Sequence, residues 1–258
     1  VGEDISFDAI RGQHDAVLIA TGVYKVREIE APGSGAKGIV KALDYLTASN
    51  RKSFGDDVPE FDNGDLDAKG KRVVVIGGGD TAMDCVRTAI RQGAVSVKCL
   101  YRRDRANMPG SQRETQNAEE EGVEFVWLSA PKGFTGGTEV DGVMVQKMRL
   151  GAPDATGRQS PEVIEGADYI EPADLVVQAL GFEPEDLPKL WGVEELGVTR
   201  WGTIKADFQT HATNLPGVYA VGDIVRGASL VVWAIRDGRE AGASILDWLA
   251  QSAAVAAQ

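Results

Sequence analysis

The sequence is poor in the residues that most often carry metal and disulfide chemistry. It holds two cysteines, Cys85 and Cys99, and two histidines, His14 and His211, in 258 residues. Neither cysteine stands in a C-x-x-C or metal-ligand spacing. A disulfide scaffold is therefore excluded, and both are expected to be small buried residues, one on a helix and one on a strand. The histidines have no partner spacing for a metal or a triad and are expected to be structural or surface residues, so no catalytic or metal-ligating residue is assigned. No apolar run approaches the roughly 18 to 20 residues that span a bilayer, and the opening residues lack a signal-peptide pattern. The expectation is a cytoplasmic protein that engages no membrane. Basic residues are the minority, 27 against 39 acidic for a net charge of −12. That balance speaks against a nucleic-acid partner, whose phosphates call for a broad cationic face.

What the sequence has in quantity is glycine, 31 residues, many of them just after short β-branched runs. This is the pattern of strand-to-helix turns in α/β proteins. The run Arg72-Val73-Val74-Val75-Ile76 leads at once into Gly77-Gly78-Gly79, and a fully apolar strand of this kind belongs in a parallel sheet covered on both faces. Asp80 to Gly93 predicts a helix with Ala82, Cys85, Val86, Ala89 and Ile90 on one buried stripe, and Val95 to Tyr101 predicts the next strand. Together they make one βαβ unit. Three further strands, Ala16–Gly22, Leu175–Gly181 and Gly217–Asp223, also end on glycine at the edge where ligands sit in open α/β sheets. A helix is expected over Gly38–Ala48, and the polar stretch Asn50–Gly70 is read as a connector near a boundary. Val123–Ile170, with Glu124–Leu128 among its β-like pieces, reads as an antiparallel crossover, Glu119-Glu120-Glu121 as a solvated helix face, and Gln251–Gln258 as a frayed end.

The pattern Gly77-x-Gly79-x-x-Ala82 gains its meaning from context, because it directly follows a strand and opens a helix. The first glycine permits the tight turn, the second lets a pyrophosphate approach the backbone, and Ala82 lets the helix pack close to the strand. The pyrophosphate then meets unpaired N–H groups at the positive helix end. Asp80 and Thr81 fill that first turn; Asp80 is expected to point away from the phosphates or to bind backbone. At the end of the second strand an acidic residue would favour NAD, whereas arginine pairs with the 2′-phosphate of NADP. This chain has Arg102 and Arg103 there, Arg102 standing 23 positions after Gly79. Two such contacts favour NADPH by about 10- to 1000-fold.

In Gly77-Gly78-Gly79-Asp80-Thr81-Ala82-Met83-Asp84, Tyr101-Arg102-Arg103, Ala220-Val221-Gly222-Asp223 and Gly227 to Ile235, the chain resembles the small (beta) subunit of bacterial NADPH-dependent glutamate synthase, and the resemblance runs along nearly all its length. The motifs belong to a wider group of two-dinucleotide-domain, pyridine nucleotide-disulfide-type flavoproteins; Ser229 to Ile235 narrows the resemblance to the glutamate synthase branch. The resemblance implies an α/β fold. A Rossmann-like, three-layer NADP(H) domain, with a parallel sheet and an antiparallel crossover, is inserted into a split, Rossmann-like FAD domain. The expected bounds are 1–30 and 183–258 for the FAD domain and 31–182 for the NADP(H) domain. NADPH would pass hydride to FAD, and electrons would leave through iron-sulfur clusters toward the large subunit for glutamate synthesis.

By the same resemblance Thr21 and Gly22 belong to the strand end near FAD, and Gly222 and Asp223 bind its ribityl and pyrophosphate side. A helix beginning near Ala228, with Ser229 and Leu230, points its amino end at the flavin. That helix is expected to turn Leu230, Ala234 and Ile245 inward, with Trp233 in the core or flanking the flavin. Gly181 and Phe182 are placed near the nicotinamide. The family's iron-sulfur cysteines and its first glycine fingerprint for the adenosine half of FAD are not in this sequence. The expectation is a carboxyl-terminal portion that binds NADPH, holds FAD poorly and is inactive alone. A short-chain dehydrogenase is disfavoured because no tyrosine has lysine four positions later. The alternative of another class is a non-catalytic NADP(H)-binding sensor or docking module.

Overall fold

A computed structural model describes residues 1–155, 157 and 159–256. The chain forms two compact units, Val1–Arg27 with Phe182–Gln258, and Glu28–Gly181. The first begins with α1 (Phe7–Gln13), capped by Ser6 Oγ, which accepts the Ala9 N–H at 3.1 Å, and continues through β1 (Val17–Ile19) and β2 (Lys25–Val26).

The 28–181 unit holds β3 (Ile39–Lys41), α2 (Ala42–Ser53), α3 (Pro59–Asp62), β4 (Arg72–Ile76), α4 (Asp80–Gln92) and β5 (Ser96–Tyr101). It goes on through α5 (Gln112–Glu120), β6 (Glu124–Trp127), β7 (Ser129–Thr135), β8 (Gly142–Pro153), β9 (Gln159–Val163), β10 (Tyr169–Pro172) and β11 (Leu175–Gln178). Five of these strands form a parallel sheet in the order β3-β11-β4-β5-β6. Because side chains alternate along a strand, β4 feeds two cores. Val73 and Val75 pack under α2, α4 and α5 with Tyr45, Met83, Val86 and Ala118, while Val74 and Ile76 meet Phe134, Val143 and Val145 of the antiparallel sheet formed by β7, β8 and β10. Helices, parallel sheet and antiparallel sheet are the three layers. Cys85 and Cys99 are both buried in the helix-side core, as expected.

The helix α4 ends where its stripe ends, at Gly93 in the left-handed region at φ 89°. Tyr45, fully buried, donates to Gln92 Oε1 at 2.8 Å, and the same oxygen accepts the Ala68 N–H at 2.9 Å, which ties the segment before β4 to α4.

Several local expectations are corrected. Ile39-Val40-Lys41 is a strand, not helix, because pairing beside β11 suits its β-branched residues, and the helix begins only at Ala42. Asn50–Gly70 is no boundary; it lies inside the second unit, carries the end of α2 and all of α3, and buries Val58 and Ala68. Glu124–Trp127 is the outer parallel strand, and the antiparallel sheet starts after it. Glu121 is not a solvated acid, since Arg87 and Arg91 reach it at 2.7 and 2.9 Å and bind α5 to α4.

The first unit resumes with β12 (Phe182–Glu183), α6 (Leu187–Trp191), β13 (Val218–Ala220), α7 (Asp223–Arg226) and α8 (Val231–Ala256). β13 pairs parallel with β1, and β12 antiparallel with β2. Its core gathers Phe7, Ile19, Leu187, Leu196, Ile204 and Ile224. The last helix starts at Val231, not near Ala228, because α7 stops at Gly227 and Leu230 C=O takes the first helical N–H from Trp233 at 3.0 Å. Leu230 is consequently outside the helix and exposed. Where fraying is expected from Gln251, α8 continues through Ala256, in keeping with alanine's helix propensity; Ala257 and Gln258 lie outside the described residues. No helix among the described residues is long and apolar enough to cross a membrane.

Candidate dinucleotide site

Reading outward from β4, the chain continues to β5 and β6 on one side, while β11 pairs on the other. The carboxyl ends of β4 and β11 therefore flank a switch point, where open α/β sheets leave a crevice. A cavity of about 540 Å³ lies there, lined by Gly77, Gly78, Gly79 and Thr81 after β4, by Tyr101 and Arg102 at the end of β5, and by Gly181 beyond β11. Its size is that of a small-molecule or cofactor pocket.

Each glycine of the turn has its own reason. A Cβ on Gly77 would run into the Ala179 carbonyl oxygen, and one on Gly78 into the Tyr101 ring, so both glycines reflect close packing within the protein. A Cβ on Gly79 would meet nothing within 4 Å, which leaves the space above the helix start for a ligand. Gly79 is also the N-cap of α4 and has no side chain to satisfy it. The first helical bond is Ala82 N–H to Gly79 C=O at 2.9 Å, so the N–H groups of Asp80 and Thr81 precede the helical ladder. Ala82 is fully buried in the helix-side core. These features fit a pyrophosphate at a positive helix end.

Asp80 does not face that space as a free charge. Its Oδ1 accepts the Ser111 N–H at 2.9 Å, a contact with backbone as expected from the sequence. Arg102 is exposed and lines the cavity, whereas Arg103 does not line it. The Nε of Arg103 is buried without a hydrogen-bond partner among the described residues. Gly181 lines the cavity with φ at 84°, but Phe182 pairs with Val26 and packs against the core of the first unit.

In the first unit, the register Ile19 to Ala220 between β1 and β13 brings Thr21-Gly22 and Gly222-Asp223 to the same strand end. Gly22 and Gly222 both have φ of 72°, the left-handed region that glycine enters without strain. Ala228, Ser229 and Leu230 form the exposed link into α8. Trp233 is not core: it lies beneath Arg226 and Arg236, 5.4 and 5.9 Å from their guanidinium carbons.

The sequence reading missed a group here. His211, Asp237 and Glu240 lie together with ligand-type atoms within 4.8 Å of one another. The i, i+3 spacing of the two acids on one helix face is the only signal that could have suggested it. Arg226 already provides the cation, bonding both oxygens of Asp237. That contact, first, and also the Gly222 N–H, hold the Asp237 carboxyl below its ordinary range against the opposing effect of burial.

The fold and cleft are those of the dinucleotide-binding, Rossmann-like proteins. The chain belongs to the pyridine nucleotide-disulphide oxidoreductase family, which matches residues 7–238. It is 81% identical over 258 residues to a protein of Cereibacter sphaeroides described as "Putative glutamate synthase [NADPH] small chain", covering 100% of this chain and 62% of that one. It is 66% identical over 245 residues to the "Glutamate synthase [NADPH] small chain" of Azospirillum brasilense, covering 95% of this chain and 51% of the relative. The chain thus spans between half and two thirds of the length of these curated relatives. Among solved structures, Mycobacterium tuberculosis FprA in complex with NADPH superposes with a TM-score of 0.79 at 20% identity, over 99% of this chain and 68% of that one. This last likeness concerns the fold.

Proposed function

We propose that this chain is the NADPH-binding and flavin-proximal portion of a glutamate synthase small-chain-like oxidoreductase. The observation that carries the reading is the cavity at the β4/β11 switch point, with an open Gly79 at a helix start and Arg102 in its wall. The 81% identity to a protein described as "Putative glutamate synthase [NADPH] small chain" supports it.

In this reading Gly77, Gly78, Gly79, Asp80, Thr81 and Ala82 form the pyrophosphate turn, Asp80 and Thr81 through their N–H groups. Arg102, with Arg103 behind it, selects the 2′-phosphate, and Gly181 and Phe182 stand on the nicotinamide side. In the first unit, Thr21, Gly22, Gly222, Asp223, Ala228, Ser229 and Leu230 hold the flavin side of FAD. NADPH when bound supplies hydride and FAD accepts it, so the residues of this chain bind and orient and none acts as acid or base. The finer parts of the reading are passage of electrons through iron-sulfur clusters, assembly with a large chain that makes glutamate, and a cytoplasmic setting. Assembly with a large chain rests on the likeness to the named small chains; iron-sulfur transfer and the cytoplasmic setting come from the reading of the sequence.

The test is the dissociation constant of the chain for NADPH and NADH at low and moderate salt, with Arg102→Ala, Arg103→Ala and the double variant. The expected result is a preference for NADPH that collapses in the double variant and weakens with salt. Failure to bind either nucleotide would overturn the reading. Tight NADPH binding in a full-length relative that never reduces flavin would favour a sensor or docking module instead.

A further inference from the structure

The segment between β5 and α5 does more than connect them. Tyr101 donates its hydroxyl hydrogen to Asn107 C=O at 2.9 Å, and Asp104 Oδ1 accepts both the Asn107 N–H at 3.0 Å and its side-chain amide at 2.7 Å. Arg105 pairs with Glu119 at 2.7 Å. The segment then crosses the glycine turn: Gly110 N–H donates to Gly78 C=O at 2.9 Å, and Ser111 N–H donates to Asp80 Oδ1 at 2.9 Å. Pro109, directly before these two anchors, lines the cavity. The approach is so close that a Cβ on Gly110 would lie 3.1 Å from Gly78 O and 3.6 Å from Asp80 Oδ1.

We infer that Met108–Ser111 is a preformed wall of the nucleotide cavity, with Asp80 and Gly110 as the positioning residues that clamp it to the glycine turn. The inference rests on the NADPH reading above. Its physical content lies in one peptide unit. A trans peptide directs its C=O and N–H to opposite sides, so engaging Gly78 C=O with Gly110 N–H fixes the orientation of Gly79 N–H, the donor at the mouth of the helix. The Asp80 carboxylate, bound to Ser111, is held by the strap instead of opposing a bound anion. The clamp therefore acts on the pyrophosphate, which NADPH and NADH share, while Arg102 acts on the 2′-phosphate that only NADPH carries.

The experiment measures dissociation constants for both nucleotides, with hydrogen-exchange rates of the Gly110 and Ser111 amides in the nucleotide-free chain. Variants are Asp80→Ala, Asp80→Asn, Gly110→Ala and Arg102→Ala. Asp80→Ala is expected to weaken NADPH and NADH equally, by about tenfold, and to lose protection at Ser111. Asp80→Asn, which keeps an acceptor oxygen, is expected to restore both, and Gly110→Ala to copy the alanine variant should Asp80→Ala fail to fold. Arg102→Ala should weaken NADPH alone. Wild-type affinities in Asp80→Ala would overturn the inference, as would tighter binding, because the carboxylate would then face the phosphates. A wild-type chain that binds neither nucleotide overturns the NADPH reading itself, and this assignment with it.

Discussion

Arg226 bonds both carboxylate oxygens of Asp237, from Nε and Nη2, each at 2.6 Å, and Asp237 is only 2% exposed. One buried acid thereby ties the last residue of α7 to the second turn of α8. Its surroundings, with His211 Nε2 3.5 Å from Glu240 and Arg226 over Trp233, make this the polar anchor of the first unit. Asp237→Ala leaves Arg226 without its partner, and a loss of about 2 kcal/mol is expected. The check is chemical denaturation with the Trp233 environment as probe. NADPH affinity should stay at its wild-type value, because the nucleotide cavity lies wholly in the 28–181 unit.

The three glycines of the turn should separate by experiment. Gly77→Ala and Gly78→Ala drive a Cβ into the Ala179 carbonyl and the Tyr101 ring, and should cost about 1 to 3 kcal/mol of stability. Gly79→Ala meets no protein atom and should fold with an unchanged melting temperature, yet lose nucleotide affinity by about tenfold or more. Melting curves and NADPH titrations of the three variants check this. Equal affinity in Gly79→Ala would place the ligand elsewhere.

Arg72 and Asp174 join the starts of β4 and β11. Arg72 donates from Nε at 2.9 Å and Nη2 at 2.6 Å, and its backbone N–H adds a third bond at 2.9 Å. Hydrogen bonds from the Arg72 side chain hold the Asp174 carboxyl down to about 2, against the opposing effect of burial. Its unfolded value is about 3.9, so the folded state binds the proton more weakly. The stabilisation is complete above the unfolded value and disappears as pH falls through about 2. Wild type should exceed Asp174→Asn in stability at pH 6, with the gap narrowing below about pH 4. The pair is half-exposed, so solvent screens it and the gap should be small. Acid titrations followed by circular dichroism check the sign.

Burial pushes the Cys99 thiol up to about 12 and the Cys85 thiol higher still, so neither supplies thiolate at neutral pH. Both should resist a thiol reagent at pH 8 in the folded chain and react fully on unfolding. Rapid labelling of the native protein would contradict the buried placement of α4 and β5.

The path from Arg72 to Tyr101 was legible because every cue in it is local. An apolar run, three glycines, a five-residue stripe and a second apolar run sit next to one another in the sequence, and each agrees with the next. The expected backbone contact of Asp80 was legible in kind but not in partner, since Ser111 comes 31 residues later. Ile39-Val40-Lys41 is not legible as a strand, because three residues carry too little periodicity to reveal one whose reason is its neighbour β11. Likewise the start of α8 depended on how Gly227 ends α7.

The α/β class, the βαβ turn, the burial of both cysteines and the arginines at the end of the second strand follow from the chain's local order, because short-range pattern and backbone chemistry carry those features. That Arg102 and not Arg103 lines the cavity, and that Met108–Ser111 crosses the glycine turn, is set by the three-dimensional packing. It alone gathered His211, Asp237, Glu240 and Arg226 around one buried carboxylate. These are contacts between residues distant in the chain, set by how strands order and layers pack, and no local periodicity encodes them.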